Sequence, residues 1–198
     1  MSLLAELARE ILRCQDCDLH RTASRAVPGE GPENASVVFI GEAPGWNEDQ
    51  QGRPFVGPAG QFLDQLLASA GLPRNKVYIT NVVKHRPPSN RDPLPAEIKA
   101  CEKWLDRQLA IIKPKIIVTL GRYSMAKFFP SETISRVHGV ARKMADMVVV
   151  PMYHPAAALH QQSLRKTIEA DFQKLPQVLA SLEPVEETAP EPQQLSMF

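Results

Sequence analysis

The chain's 198 residues, 43% of them hydrophobic, suit one compact domain with an ample core. No apolar run approaches membrane-spanning length, and the first residues carry no signal-peptide core, so a cytoplasmic protein with no membrane partner is expected. Three cysteines, two of them as Cys-x-x-Cys, argue against a secreted disulfide framework and suit a metal or cluster site in a reducing compartment.

Residues 2–13 place Leu3, Leu4, Leu7, Ile11 and Leu12 at helical spacing and predict a short amphipathic helix. Next come Cys14 and Cys17, whose short turn brings both sulfurs to one side, as a metal clasp or as a pair of ordinary buried thiols. Residues 36–41 read as a first buried strand, and 58–70 as a helix closed by Gly71. Residues 77–83, rich in β-branched side chains, read as a second strand with Asn81 at its end. A helix over 95–112, a strand over 115–120, a helix from Gly121 through Phe129, a fourth strand over 147–152 and a last helix over about 161–182 complete the pattern. Alternating strands and helices predict an α/β fold, a three-layer α/β/α sandwich around a four-stranded parallel sheet. Loops at the carboxyl ends of such strands converge on ligand sites.

Net charge is only +1, but the charge is unevenly spread. Residues 183–193 are acidic and proline-bearing and read as a disordered linker. Removing the four acids after residue 182 from the total of 22 leaves 18 against 23 bases, a body of +5 compatible with phosphate contacts. The expected organisation is a domain over 1–182, the linker over 183–193 and a terminal peptide over 194–198.

The longest irregular stretch joins the first strand to its helix: Gly41-Glu-Ala-Pro-Gly-Trp-Asn-Glu-Asp, then Gly-Arg-Pro-Phe-Val-Gly-Pro-Ala-Gly60. Its glycines and prolines exceed what a simple turn requires, and it lacks both the Walker lysine and the dinucleotide fingerprint. The pattern resembles the first motif of the iron–sulfur (family four) uracil-DNA glycosylases. His154-Pro-Ala-Ala is similar to the second motif, and the likeness runs over roughly residues 14–160.

The resemblance implies a DNA-repair glycosylase that flips uracil from DNA and hydrolyses its N-glycosidic bond. It implies that Asn81 reads the uracil edge, Phe55 stacks on the base, the Ala43-Pro44-Gly45 backbone lines the pocket, and His154 is catalytic. Glu42 and Glu48 are candidates to stabilise the sugar cation or orient water, since Ala43 stands where a better-known branch of the superfamily has aspartate. Asn90 is expected near the bound DNA.

The resemblance also implies a [4Fe–4S] cluster. Cys14, Cys17 and Cys101 match three of its four cysteine ligands, and His85 stands in the fourth position. A three-Cys, one-His cluster is the expectation, with zinc on the same residues as the lesser alternative. The terminal Gln194-Leu195-Ser196-Met197-Phe198 resembles the peptide that partners insert into the bacterial sliding clamp. A monomeric bacterial protein acting on nucleoid DNA is therefore expected. The rival readings are a covalent uracil-DNA trap of the same superfamily, a non-catalytic clamp-tethered DNA-binding module and a hydrolase of free nucleosides.

Overall fold

A computed structural model describes residues 2–182; the linker and terminal peptide read from the sequence lie outside the described residues. Three parallel strands, β1 (Val37–Gly41), β2 (Tyr78–Asn81) and β3 (Ile116–Leu120), are followed by a short strand β4 (Arg142–Met144) and by β5 (Met147–Met152). They form one sheet in the order β2-β1-β3-β5-β4, with β4 antiparallel to β5 and every other pairing parallel. The four expected strands are present, and the expected count of four is corrected to five by β4. That strand is three residues long, begins Arg142-Lys143, and lies at the sheet edge with no buried residue. Such a segment offers no apolar run or alternation from which to read a strand.

Both faces of the sheet are covered, which explains why β1 and β3 are buried along their whole length and, Thr119 aside, carry no polar side chain. Under one face lie α4 (Pro58–Ser69), α9 (Ser163–Phe172) and α10 (Leu175–Ala180). Phe62, Leu63, Leu66, Phe172 and Leu175 from these helices pack on Phe39, Val118 and Val150. The Phe39 and Phe172 rings stack with centroids 5.9 Å apart and planes at 11°. Under the other face α1 (Leu3–Ile11) and α5 (Pro95–Ile112) bring Leu7, Ile11 and Leu105 onto Val38, Ile40, Ile117 and Val149. Alternate residues of each strand thus feed two separate cores, and the three-layer α/β/α architecture follows.

Local chemistry sets the helix ends. Pro58 and Pro95 occupy first turns, where the missing N–H costs nothing, and Glu97 Oε2 accepts the Leu94 N–H at 2.7 Å. The helix expected over 161–182 is interrupted, giving α9 and α10, and a separate α8 (Pro155–His160) precedes them. Pro176 within the first turn of α10 explains one break, because it cannot continue the preceding helix. Short helices α2 (Leu19–Thr22), α3 (Trp46–Gln51), α6 (Arg122–Ala126) and α7 (Ile134–Val137) fill the connections.

The chain leaves β1 for β2 on one side and then crosses to β3 on the other. This reversal opens a crevice at the carboxyl ends of the strands. Gly41 pairs with Asn81 at that edge, and β5 runs out there into His154.

Candidate active site and cysteine centre

The crevice deepens into a cavity of about 570 Å³. Every residue expected in the pocket lines it: Glu42, Ala43, Pro44, Gly45, Glu48, Phe55, Asn81, Asn90 and His154. Residues up to 112 positions apart (Glu42 to His154) and drawn from three loops are thereby brought to one wall by the sheet register.

The floor is built around an absent side chain. A Cβ on Gly41 would collide with Asn81 Oδ1 and come within 2.6 Å of Phe55 Cζ, so only glycine lets the amide and the ring close over the strand end. Phe55 adopts a left-handed backbone with φ of 50°, a conformation that costs a β-carbon residue on the order of 1–2 kcal/mol. Arg74 holds it there: its guanidinium donates to the carbonyls of Pro54 at 2.6 Å and Phe55 at 3.1 Å, and to Asp64 Oδ1 at 2.8 Å. The Phe55 ring stacks on the His154 imidazole, with centroids 5.5 Å apart and planes at 25°.

Asn81 is 2% exposed, and its Oδ1 has no hydrogen-bond partner. An orphaned buried acceptor costs about 1–3 kcal/mol unless a ligand satisfies it. Its main chain is fixed from below. Lys84 Nζ donates to the Asn81 carbonyl at 2.7 Å, to Thr80 Oγ1 at 2.8 Å and to Gln108 Oε1 at 2.7 Å. Complete burial of Lys84 pushes its ammonium down to about 7.

His154 caps α8: its Nδ1 accepts the Ala156 N–H at 3.1 Å. Nδ1 is therefore the acceptor nitrogen, and the neutral ring carries its proton on Nε2. Burial pushes the imidazolium down to about 4, with Glu48 opposing weakly, so the ring is neutral at physiological pH. Glu42 shows the reverse effect. Burial, and then the charge of Asp92, raise its carboxyl to about 7 against the pull of Arg122. Glu48 instead is engaged with the backbone. Oε1 accepts the N–H groups of Val56 and Gly57 at 2.8 and 2.9 Å, and Oε2 accepts that of Gly45 at 3.1 Å. Three of about four acceptor positions are filled, so this carboxylate clamps both ends of the loop and keeps room for one further donor. Asn90 sits at φ of 54° with Oδ1 accepting from Arg86 Nε at 2.6 Å.

The cysteines gather on the opposite side of β2 from this slot. Cys14 and Cys101 are buried and Cys17 is half-buried. All three thiols are held above their usual range by burial, Cys101 at about 11, and it also feels the charges of Cys17 and Cys14. Trp104 Nε1–H donates to Cys14 Sγ at 3.2 Å, and the Lys84 backbone N–H donates to Cys101 Sγ at 3.4 Å. His85 is 4% exposed, its Nδ1 has no partner, and burial depresses its imidazolium. Among the described residues no three His, Cys, Asp or Glu side chains form a closed metal-binding set.

Arg74, Lys84 and Gln108 were not singled out by sequence reasoning. Lys84 and Gln108 stand beside other polar residues in the chain, so nothing local marks them as members of a buried polar network. Nothing local to Arg74 marks it, because its partners lie 19 and 20 residues away.

Residues 28–179 match the Uracil DNA glycosylase superfamily. The chain is 47% identical over 193 residues to the Type-4 uracil-DNA glycosylase of Archaeoglobus fulgidus, an alignment covering 93% of this chain and 97% of that protein. It is 49% identical over 185 residues to that of Sulfurisphaera tokodaii, with 88% and 84% covered. Against that of Thermotoga maritima it is 40% identical over 177 residues, with 87% and 92% covered. The chain belongs to the uracil-DNA glycosylase superfamily.

Proposed function

We propose that this protein excises uracil from DNA, and that the cavity under Asn81, Phe55 and His154 is where it does so. The observation that carries the reading is the buried, partnerless Asn81 Oδ1 in a slot whose wall is a stacked aromatic–imidazole pair. A uracil on the Phe55 ring offers N3–H to that oxygen, while the Asn81 amide nitrogen donates to O4. Cytosine has no N3–H and carries an amine in place of O4, so it mispairs with both ends of the amide. Main-chain groups of Ala43, Pro44 and Gly45 form the side of the slot.

Breaking the C1′–N1 bond sends its electron pair into the base and leaves an oxocarbenium-like sugar. Negative charge gathers at uracil O2, where His154 Nε2–H is the donor. Because the ring is neutral, it donates a hydrogen bond without having to give up a proton. One preorganised donor of this kind is worth about 2.7–4 kcal/mol of barrier. The carboxylate of Glu42 orients the water that adds to C1′ and receives its proton. Glu48 keeps the loop closed through its backbone bonds, and Asn90 lies on the DNA side of the cavity. The products are free uracil and an abasic site, the opening step of base excision repair.

The cysteine centre fits a cluster. Cys101 feels the charges of Cys14 and Cys17, two of the three thiols already receive N–H donors of the kind that support metal-bound sulfur, and a buried imidazole nitrogen lacks any partner. Cys14, Cys17, Cys101 and His85 hold a [4Fe–4S] cluster in this reading, with zinc on the same residues the lesser alternative. Such a cluster supplies a covalent tie between the N-terminal segment, the β2 loop and α5, and takes no part in base release. The terminal Gln194–Phe198 peptide docks on a bacterial sliding clamp and delivers a monomeric enzyme to cytoplasmic DNA. No helix among the described residues is long and apolar enough to cross a membrane.

Incubation with a uracil-containing oligonucleotide, then alkali and a sizing gel, shows cleavage at uracil. His154→Ala lowers kcat about 10²–10³-fold, and Asn81→Asp erodes the preference for uracil over cytosine. The rate rises with pH through about 7 as Glu42 loses its proton, and Glu42→Gln flattens that limb; His154, charged only below about 4, adds none above pH 5. Unchanged turnover in His154→Ala contradicts the assignment. Anaerobically purified protein contains about four irons per chain, and His85→Ala lowers that content; iron-free, colourless protein contradicts the cluster. Deleting Gln194–Phe198 abolishes clamp binding while turnover of short oligonucleotides persists, and equal clamp affinity of the truncated chain rejects the docking peptide.

A further inference from the structure

Trp46 is the first residue of α3, lines the mouth of the cavity and is 55% exposed. Among the described residues it has no hydrogen-bond, cationic or ring partner. Its exposure does not come from a slack loop. Glu48, two residues on, binds three backbone N–H groups. The buried Asp49 Oδ1 accepts those of Ser24 at 2.8 Å and Arg25 at 3.4 Å. The turn that carries the indole is thus anchored on its inner side, and the ring is presented outward. Leu159, on α8 beyond β5, is 49% exposed and lines the same cavity. These two exposed apolar side chains line the cavity together with the exposed Arg91 and Asp92, and a large exposed ring beside a pocket marks a contact surface.

We infer that Trp46 stacks on the nucleobase adjacent to the everted uracil in the same DNA strand. The inference rests on the uracil-DNA reading of the cavity. A base that leaves the stack strips its neighbour of one stacked face. With the everted uracil against Phe55 and Asn81, its neighbour in the strand is left towards the mouth of the cavity, where the indole stands. Indole–base stacking needs only a π-face, so it adds affinity whatever the neighbouring base is. It does not read the uracil edge, which falls to Asn81 inside.

The test uses the full-length chain and a uracil-containing single-stranded oligonucleotide. Trp46→Ala raises KM about tenfold, the order expected for one lost stacked base. It moves kcat far less, leaves selectivity for uracil over cytosine in place, and Trp46→Phe recovers most of the affinity. The chain has two tryptophans, and Trp104 is buried with its indole N–H on Cys14. DNA binding therefore quenches wild-type fluorescence through Trp46, and the quench disappears in Trp46→Phe. A KM within twofold of wild type in Trp46→Ala, or a Phe variant as impaired as the Ala variant, overturns the stacking while wild-type uracil release stands. A wild-type protein that released no uracil would overturn the reading of the cavity, and the stacking with it.

Discussion

The missing side chain at Gly41 is the constraint on which the site depends. β1 ends at the switch in strand order, and there the main chain must let a ring from one loop and an amide from the next strand close over it. Any β-carbon would occupy the space that Asn81 Oδ1 and the Phe55 ring share. The parallel register supplies the rest, because Gly41 and Asn81 are partners across β1 and β2. The architecture therefore sets the spacing of the slot, and the loops supply its chemistry.

Holding that arrangement requires local strain and local burial of polar groups, and each is compensated nearby. The left-handed Phe55 is fixed by the Arg74 guanidinium on two carbonyls. Burial keeps His154 neutral and Glu42 reluctant to ionise, so one desolvating environment moves the two groups in opposite directions. Below the slot, Lys84 links two centres. Its ammonium holds the Asn81 carbonyl, while its own backbone N–H reaches Cys101 Sγ. One residue thus joins the cysteine corner to the main chain that presents the Asn81 amide.

The strands, α4 and α5 were legible because they obey short-range rules: apolar runs, a proline start and a glycine stop; the pocket residues were named instead from the likeness of the Gly41–Gly60 loop and His154-Pro-Ala-Ala to a known family. What escaped has a physical reason in each case. β4 is an edge strand with no buried residue, and its charged residues carry no strand pattern. The last helix is broken where Pro176 enters, a local signal overridden in the reading by continuous helical periodicity. Glu48 was expected among the catalytic groups as a bare carboxylate, whereas folding commits both of its oxygens to backbone N–H groups eight and nine residues ahead and three behind. Arg74 and Trp46 matter through where they end up, which no local pattern encodes. The linker and terminal peptide lie outside the described residues, so their reading remains that of the sequence.

The most direct test of the central claim, a one-base slot assembled over Gly41, is a crystal structure with free uracil soaked in. The account predicts a uracil ring parallel to Phe55, with N3–H and O4 on the Asn81 amide and O2 at His154 Nε2. A slot without uracil at saturating concentration, or uracil bound away from these three side chains, would contradict it.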